Sequence, residues 1–305
     1  MSVLFKGMVL AGGIGLGLAG AAQAASLNAV ELLQQYNLIT KGDVYSSQEV
    51  EGNVYIGGNL TGSTMQAGFV KSTVPDAGLA NVVVLGNKDI TLNLDPAVTV
   101  VIGGTNTGFI NNVPAANVTV GSLPSGLVLD KAEVVSALDG WSAALAALPS
   151  SGSYVTGEQG YTFGAGVYNI SLDDLSKMEF KFDLGEGETI VFNVSGSDLS
   201  LQKNWPGVDY GLGQQVVWNF YEATAIAINA KLIGSVLAPY ATLSGFSGSL
   251  EGSVYASAVN LTNGEIHLQQ PDFGDPELPS VPVPAGFPLL LGGLGALAAL
   301  RRKAA

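Results

Sequence analysis

The chain of 305 residues is long enough for one large domain or two ordinary ones. It is 47% hydrophobic and only 12% charged, with 41 glycines in no Gly-x-y period, which excludes disorder and collagen and indicates a folded, turn-rich chain. Four of its 12 basic residues (Lys6, Arg301, Arg302, Lys303) lie at the extreme ends, so the body holds eight Lys, no Arg and 25 acids, a net charge of −17 that repels phosphate backbones and excludes nucleic acid as a partner.

The first 24 residues read as an address. Lys6 precedes an apolar stretch from Met8 to Ala22, and Ala22-Gln23-Ala24 puts small residues at the positions a signal peptidase accepts. Cleavage is expected after Ala24, and the mature body is expected to run from 25 to 270. A short helix follows near Ser26 to Tyr36, with Ser26 as N-cap and Val30, Leu33 and Tyr36 turned inward, placed to cap one end of the fold. The next stretches alternate. Val98, Val100 and Ile102 share one face of a strand, as do Phe180, Phe182 and Leu184, and Ile190, Phe192 and Val194. Between them, Val134, Leu138, Trp141, Leu145 and Leu148 recur at steps of four and three, which predicts an amphipathic helix over 130–148 lying on the flank of the fold, with Trp141 in its core-facing stripe.

Internal similarity sharpens the strand reading. Glu251-Gly252-Ser253-Val254-Tyr255 echoes Glu51-Gly52-Asn53-Val54-Tyr55, and each is followed by Asn-Leu-Thr, at Asn260 and Asn59. Gly234-Ser235-Val236 repeats the pattern 18 residues before Gly252-Ser253-Val254, and Leu243 stands 18 before Leu261. Eighteen residues suit one coil of a solenoid. The predicted fold is therefore mainly β: a β-solenoid (β-helix-like) with one flanking α-helix, plus the N-terminal signal peptide and a C-terminal hydrophobic helix.

Beyond a proline-rich linker at 271–280 comes Val281-Pro282-Val283-Pro284-Ala285, then a short apolar span at 286–300, then Arg301-Arg302-Lys303. This order of motif, span and basic tail resembles the PEP-CTERM class of sorting signals in its VPLPA-type form. The resemblance implies an exosortase-type sorting enzyme as partner and a transient or stable membrane anchor with the body outside. The body itself resembles the choice-of-anchor A domain at both ends: Tyr36-Asn37-Leu38-Ile39, Gly42-Asp43 and Val50 to Leu60 at the start, and Ile233 to Pro239, Gly252 to Ala256 and Glu265-Ile266-His267 at the finish. That family implies an exported module regarded as adhesive, with no binding residues to carry over.

Catalytic chemistry has few candidates. The single histidine, His267, is expected to end a strand, no serine stands in a G-x-S-x-G elbow, and the lack of cysteine removes disulfides and thiolate metal sites. No catalytic, cofactor-binding or metal residues are assigned. Asp183 to Glu188, Asp173-Asp174 and Asp272/Asp275/Glu277 are acidic turns that could supply part of a calcium shell, without the spacing of a known calcium loop. Five Asn-x-Ser/Thr triplets, Asn59 and Asn260 included, are read as turn and strand-edge residues. The expected function is an exported, non-catalytic cell-surface or extracellular-matrix adhesin whose ligand is an extracellular polymer or cell surface. The alternatives are a carbohydrate- or ice-binding solenoid, against which the scattered threonines count for ice, and a polysaccharide-degrading enzyme.

Overall fold

A computed structural model describes residues 27–69, 78–157, 160–171, 174, 180–202 and 209–273. The signal segment with Ala22 and Ala24, the motif Val281 to Ala285, the span 286–300 and Arg301 to Lys303 lie outside the described residues. No described helix is long and apolar enough to cross a membrane.

The body is a stack of coils whose strands form three parallel ladders. The first ladder runs, in spatial order, through Gly166–Ser171, Ile190–Ser195, Val216–Asn219, the start of Ser235–Gly245, the start of Val254–Leu261, Leu38–Thr40, Val54–Ile56, Val82–Val84, Val100–Ile102 and Val118–Val120. The second follows Asp198–Leu201, Ala225–Ile228, the ends of Ser235–Gly245 and Val254–Leu261, Val44–Ser46 and the starts of Leu60–Ala67 and Lys88–Leu94. The third links Leu232–Ile233, Leu250–Glu251, Ile266–His267, Glu49–Val50, the ends of Leu60–Ala67 and Lys88–Leu94, and Ile110–Asn111.

Chain order and spatial order differ. The chain begins mid-stack at Leu38, climbs to Val118–Val120, returns through a helix, restarts at the opposite end with Gly166–Ser171, and works back to the middle. There the last coil joins the first in all three ladders: Leu38 pairs with Val254, Val44 with Val259, and Val50 with Ile266. The 18-residue period is borne out in Trp218–Val236–Val254 and in Val82–Val100–Val118. One part of it is corrected. Leu243 pairs with Val259, not Leu261, because a register shift between Ala238 and Thr242 takes up two residues.

Glycine is needed where coils turn. A Cβ on Gly58, Gly86 or Gly104 would lie 2.3–2.5 Å from the side-chain oxygen of Asp43, Asn59 or Asn87 on the neighbouring coil. Those oxygens accept the backbone N–H groups of Asn59, Asn87 and Thr105 at 2.7–2.9 Å, so a column of Asx side chains ties coil to coil while glycine makes room for it.

Two helices, not one, flank the stack. α1 (Ala29–Gln35) is capped by Asn28 rather than Ser26, its side chain accepting from Val30 and Glu31. α2 (Lys131–Ala146) is capped by Asp130 and buries Val134, Leu138, Trp141 and Leu145, as the periodicity predicts. Both lie on the outside of the first ladder, whose outward Ile39, Tyr55, Val83, Val101, Val191, Val217, Leu237 and Tyr255 form a second apolar core with them. Hence α1 does not cap an end. The coil it leads into is inserted between the last coil and the next, so α1 sits over that seam, where Ser253 Oγ donates to Leu33 O at 2.7 Å. The inward positions Val98, Val100, Ile102, Phe180, Ile190, Phe192 and Val194 line the interior core, with Phe182 and Leu184 packed half-buried against it.

Candidate binding face

Of the three ladders, the first is buried on both faces between its end strands, which removes that stretch as a ligand surface. α2 is pinned there by polar contacts as well. Asp139 takes Lys41 at 2.7 Å and the Tyr255 hydroxyl at 2.6 Å, and Asn219 bonds to Ser142 through both its amide atoms. Asn219 also donates to Asn193, which donates to Asn169, a second Asn column at the register position that Leu237, Tyr255, Ile39 and Tyr55 hold farther along the ladder.

The second ladder keeps an open outer face. Its inward residues are Leu199, Ile226, Leu243, Val259, Val44 and Leu60, so alternation turns the intervening residues outward. One outward row runs Asp198, Ala225, Thr242, Ala258; another holds Ser200, Ala227 and Ser244, then Asn260, Tyr45, Thr61 and Asp89 across the seam. Thr107 extends it by donating to Asp89 at 2.7 Å. Parallel strands about 4.8 Å apart make this a flat, regular array of mostly small, neutral side chains. Charge appears at Asp198 near one end and at Asp89 and Asp43 toward the other, and Tyr45 stands out at 45% exposed.

The third ladder carries charge at the seam. His267, on the last short strand, has Nδ1 3.0 Å from Glu251 and Nε2 3.1 Å from Glu265. Lys231 pairs with Glu251 at 3.1 Å and lies over the Tyr210 ring, and Glu51 accepts the Leu268 N–H. Burial pulls the imidazole pKa down, but hydrogen bonds to Glu265 and Glu251 and the charges of Glu251 and Glu51 outweigh it and hold it above its usual value. Burial, then Glu265 and Glu51, raise the Glu49 carboxyl. A neutral imidazole donates through one nitrogen only, whereas the protonated ring donates to both carboxylates. His267 thus ends a strand, as expected, and its ion-pair role joins residues too far apart in sequence to be read together.

Among the described residues no three of His, Asp and Glu converge as a metal site. Of the acidic turns, Glu188 accepts from Gly185 N within its own loop, and Asp174 accepts from the Ser171 hydroxyl and backbone N–H. Asp173, Asp275 and Glu277 lie outside the described residues. Trp141 is core, 3% exposed and against Phe273. Asn193 is no strand-edge residue: it is buried, donating to Leu145 O and Asn169. Lys88 departs from its alternation most sharply. It occupies an inward position, fully buried, and its Nζ donates to the carbonyls of Ile90 and Phe109; burial lowers its pKa to about 8.

The described body is thus a helix-backed parallel β stack with one open, largely neutral face. The family model described as "Putative Ice-binding-like adhesive domain" matches residues 29–268, and the chain belongs to that family. Solved structures give distant similarities. They include an ice-binding protein from the Antarctic ascomycete Antarctomyces psychrotrophicus (14% identity, 78% of this chain and 96% of that chain, TM-score 0.36). A glycosylated ice-binding protein from an Arctic yeast shows 14% identity over 85% of this chain and 97% of that one, with a TM-score of 0.38. An ice-binding protein from an Antarctic biological consortium shows 13% over 88% and 96%, with a TM-score of 0.36. No curated protein matches the chain.

Proposed function

We propose that the protein is an exported, non-catalytic adhesin that holds a repeating extracellular polymer or a cell surface on the outer face of its second ladder. The observation that supports this most is the contrast among the three faces. One is closed by helices, one carries an ion-pair cluster, and one is flat, open and largely neutral along the stack. Small hydroxyl and amide side chains at a fixed rung spacing suit a ligand that is itself periodic, and Tyr45 offers an aromatic face within the array. The sequence patterns of the signal segment, the choice-of-anchor A-like ends and the sorting-type tail support export and surface attachment, with signal peptidase and an exosortase-type enzyme as processing partners.

The test is whether the fragment 25–280 binds matrix polysaccharide or whole cells above an unrelated protein of similar acidity. Thr61→Arg with Ser244→Arg should abolish the excess; equal binding by fragment and control contradicts the proposal. The same flat face favours ice as a second ligand, although Ala225, Ala258, Tyr45 and Asp89 interrupt its hydroxyl rows. Thermal hysteresis by the fragment, lost in the same double variant, distinguishes that reading.

A further inference from the structure

The two ends of the stack are finished differently. At one end, Tyr154–Gly157, Gly160–Phe163 and Phe180–Phe182 form a separate three-stranded sheet. Its rings continue the interior: Phe163 contacts Phe180 and Phe192 at 5.2 Å each, and Phe192 stacks on Trp218 at 4.4 Å. At the other end the second and third ladders stop at Asn106 and Ile110–Asn111, and the first runs one strand further, to Val118–Val120. Val118–Val120 pairs only with Val100–Ile102, Ile110–Asn111 only with the strand beneath it, and Asn106 only with Lys88, among the described residues.

That coil leaves apolar surface uncovered. Ile110, Val113 and Val118 pack half-buried against the interior core, while Phe109 is 76% exposed and Val120 and Leu123 are 46% exposed. A terminal repeat usually presents a polar outer face, and an edge strand usually carries charge or proline that discourages pairing. Here exposed Asn106, Asn111 and Asn112 share the coil with those apolar groups, but charge is missing. Between Asp95 and Asp130 no side chain is charged, in a body of net charge −17.

We propose that this end is a homodimer interface, in which Val118–Val120 pairs antiparallel with the same strand of a second copy. Three observations select that occupant. The edge has free strand polarity and apolar neighbours, the chemistry that another strand satisfies. Two strongly acidic copies repel wherever their charged faces approach, so contact is least opposed where both surfaces are neutral. Finally, the opposite end is a separate three-stranded sheet, so stacking head to tail would bring unlike surfaces together, whereas a two-fold axis sets the same strand against itself. A two-fold arrangement closes at two copies and does not propagate into a fibre. The pair would then carry two open binding faces, raising avidity for a repeating polymer.

The absence of cysteine makes the test clean. Thr119, the central residue of the strand, comes close to its own copy across such a two-fold axis. Full chain carrying Thr119→Cys should form a disulfide-linked dimer on mild oxidation, while Tyr240→Cys, exposed on the body, should not. By sedimentation the unaltered chain should have twice the chain mass, and its association should tighten as salt rises from 0.02 to 0.5 M on the order of a few-fold, because screening relieves body repulsion without weakening a neutral contact. Phe109→Lys with Val120→Lys, at positions already in solvent, should return it to a monomer with an unchanged far-ultraviolet spectrum. The proposal is overturned if Thr119→Cys and Tyr240→Cys cross-link equally or not at all. A monomeric unaltered chain overturns it as well, including one in which the chain's own segment 286–300 protects Thr119.

Discussion

The half of the stack from Leu38 to Val120 and the half from Gly166 to His267 use one coil design and reach different interiors. The second half is aromatic: Tyr168, Phe192 and Trp218 sit on successive coils, Phe220 stands beside Trp218 on the same coil, and the rings continue into those of the terminal sheet. The first half is aliphatic, built on Val54, Val82, Val100 and their neighbours, with a buried lysine at an inward position. The lesson is that rung pairing fixes the coil, whereas side-chain size fixes how an end is finished. Large rings carry the interior on into a terminal sheet; the column of valines ends on Val118–Val120, a strand paired on one side only among the described residues.

Substitution at the aromatic column should have the largest effect. Trp218→Ala removes the ring between Phe192 and Phe220 and the indole bond to Ile233 O, and should cost about 3–5 kcal/mol by denaturant unfolding. Val100→Ala in the other half should cost less, about 1–3 kcal/mol. Equal losses would erase the distinction between the halves.

Lys88 gives the aliphatic half a pH signature. Its folded pKa, about 8, lies below the ordinary lysine value, so between about 8 and 10.5 the unfolded chain holds a proton that the folded chain does not. Stability should therefore rise with pH across that window, by up to about 3 kcal/mol, and Lys88→Met should flatten the rise. Urea midpoints measured from pH 7.5 to 10.5 check it; a falling midpoint in the unaltered chain that Lys88→Met removes would reverse the assignment.

Asn219 links the aromatic half to α2, and Asn219→Ala should cost about 1–3 kcal/mol by taking the buried acceptor from the Ser142 hydroxyl and the buried donor from the Asn193 side-chain oxygen. The smallest effect belongs to the seam. His267 has a raised folded pKa, so its stabilisation is full below the unfolded value near 6.5 and is lost as pH rises through the folded value. Because His267 and Glu265 are partly exposed, the loss should stay under about 1 kcal/mol and should vanish in His267→Gln. The two titrations have opposite signs, so a pH series on the single variants separates seam from interior.

Much of the coil was legible in the sequence, because an 18-residue repeat with valine at matching positions pairs Val236 with Val254 in parallel register. α2 was legible for the same reason, since its stripe faces one sheet. The echo between Val54 and Val254 marked two equivalent rungs without revealing that Leu38 stands between them. Nothing local requires that insertion. It follows from the return path through α2, which lets a parallel stack be assembled out of chain order. Lys88 was illegible because an inward lysine is satisfied only by carbonyls, one of them 21 residues away at Phe109. The binding face was hidden too. Its rows join Thr242, Tyr45 and Asp89, which become neighbours only after the seam closes.

Hydroxyl-radical footprinting of the fragment 25–280 with a saturating matrix polysaccharide tests the adhesive face most directly. Tyr45 lies on the proposed face, whereas Tyr154 and Tyr210 are about equally exposed on the terminal sheet and beside Lys231. The account predicts that polymer protects Tyr45 several-fold and leaves Tyr154 and Tyr210 unchanged. Protection of Tyr154 or Tyr210 with Tyr45 still fully reactive would contradict it.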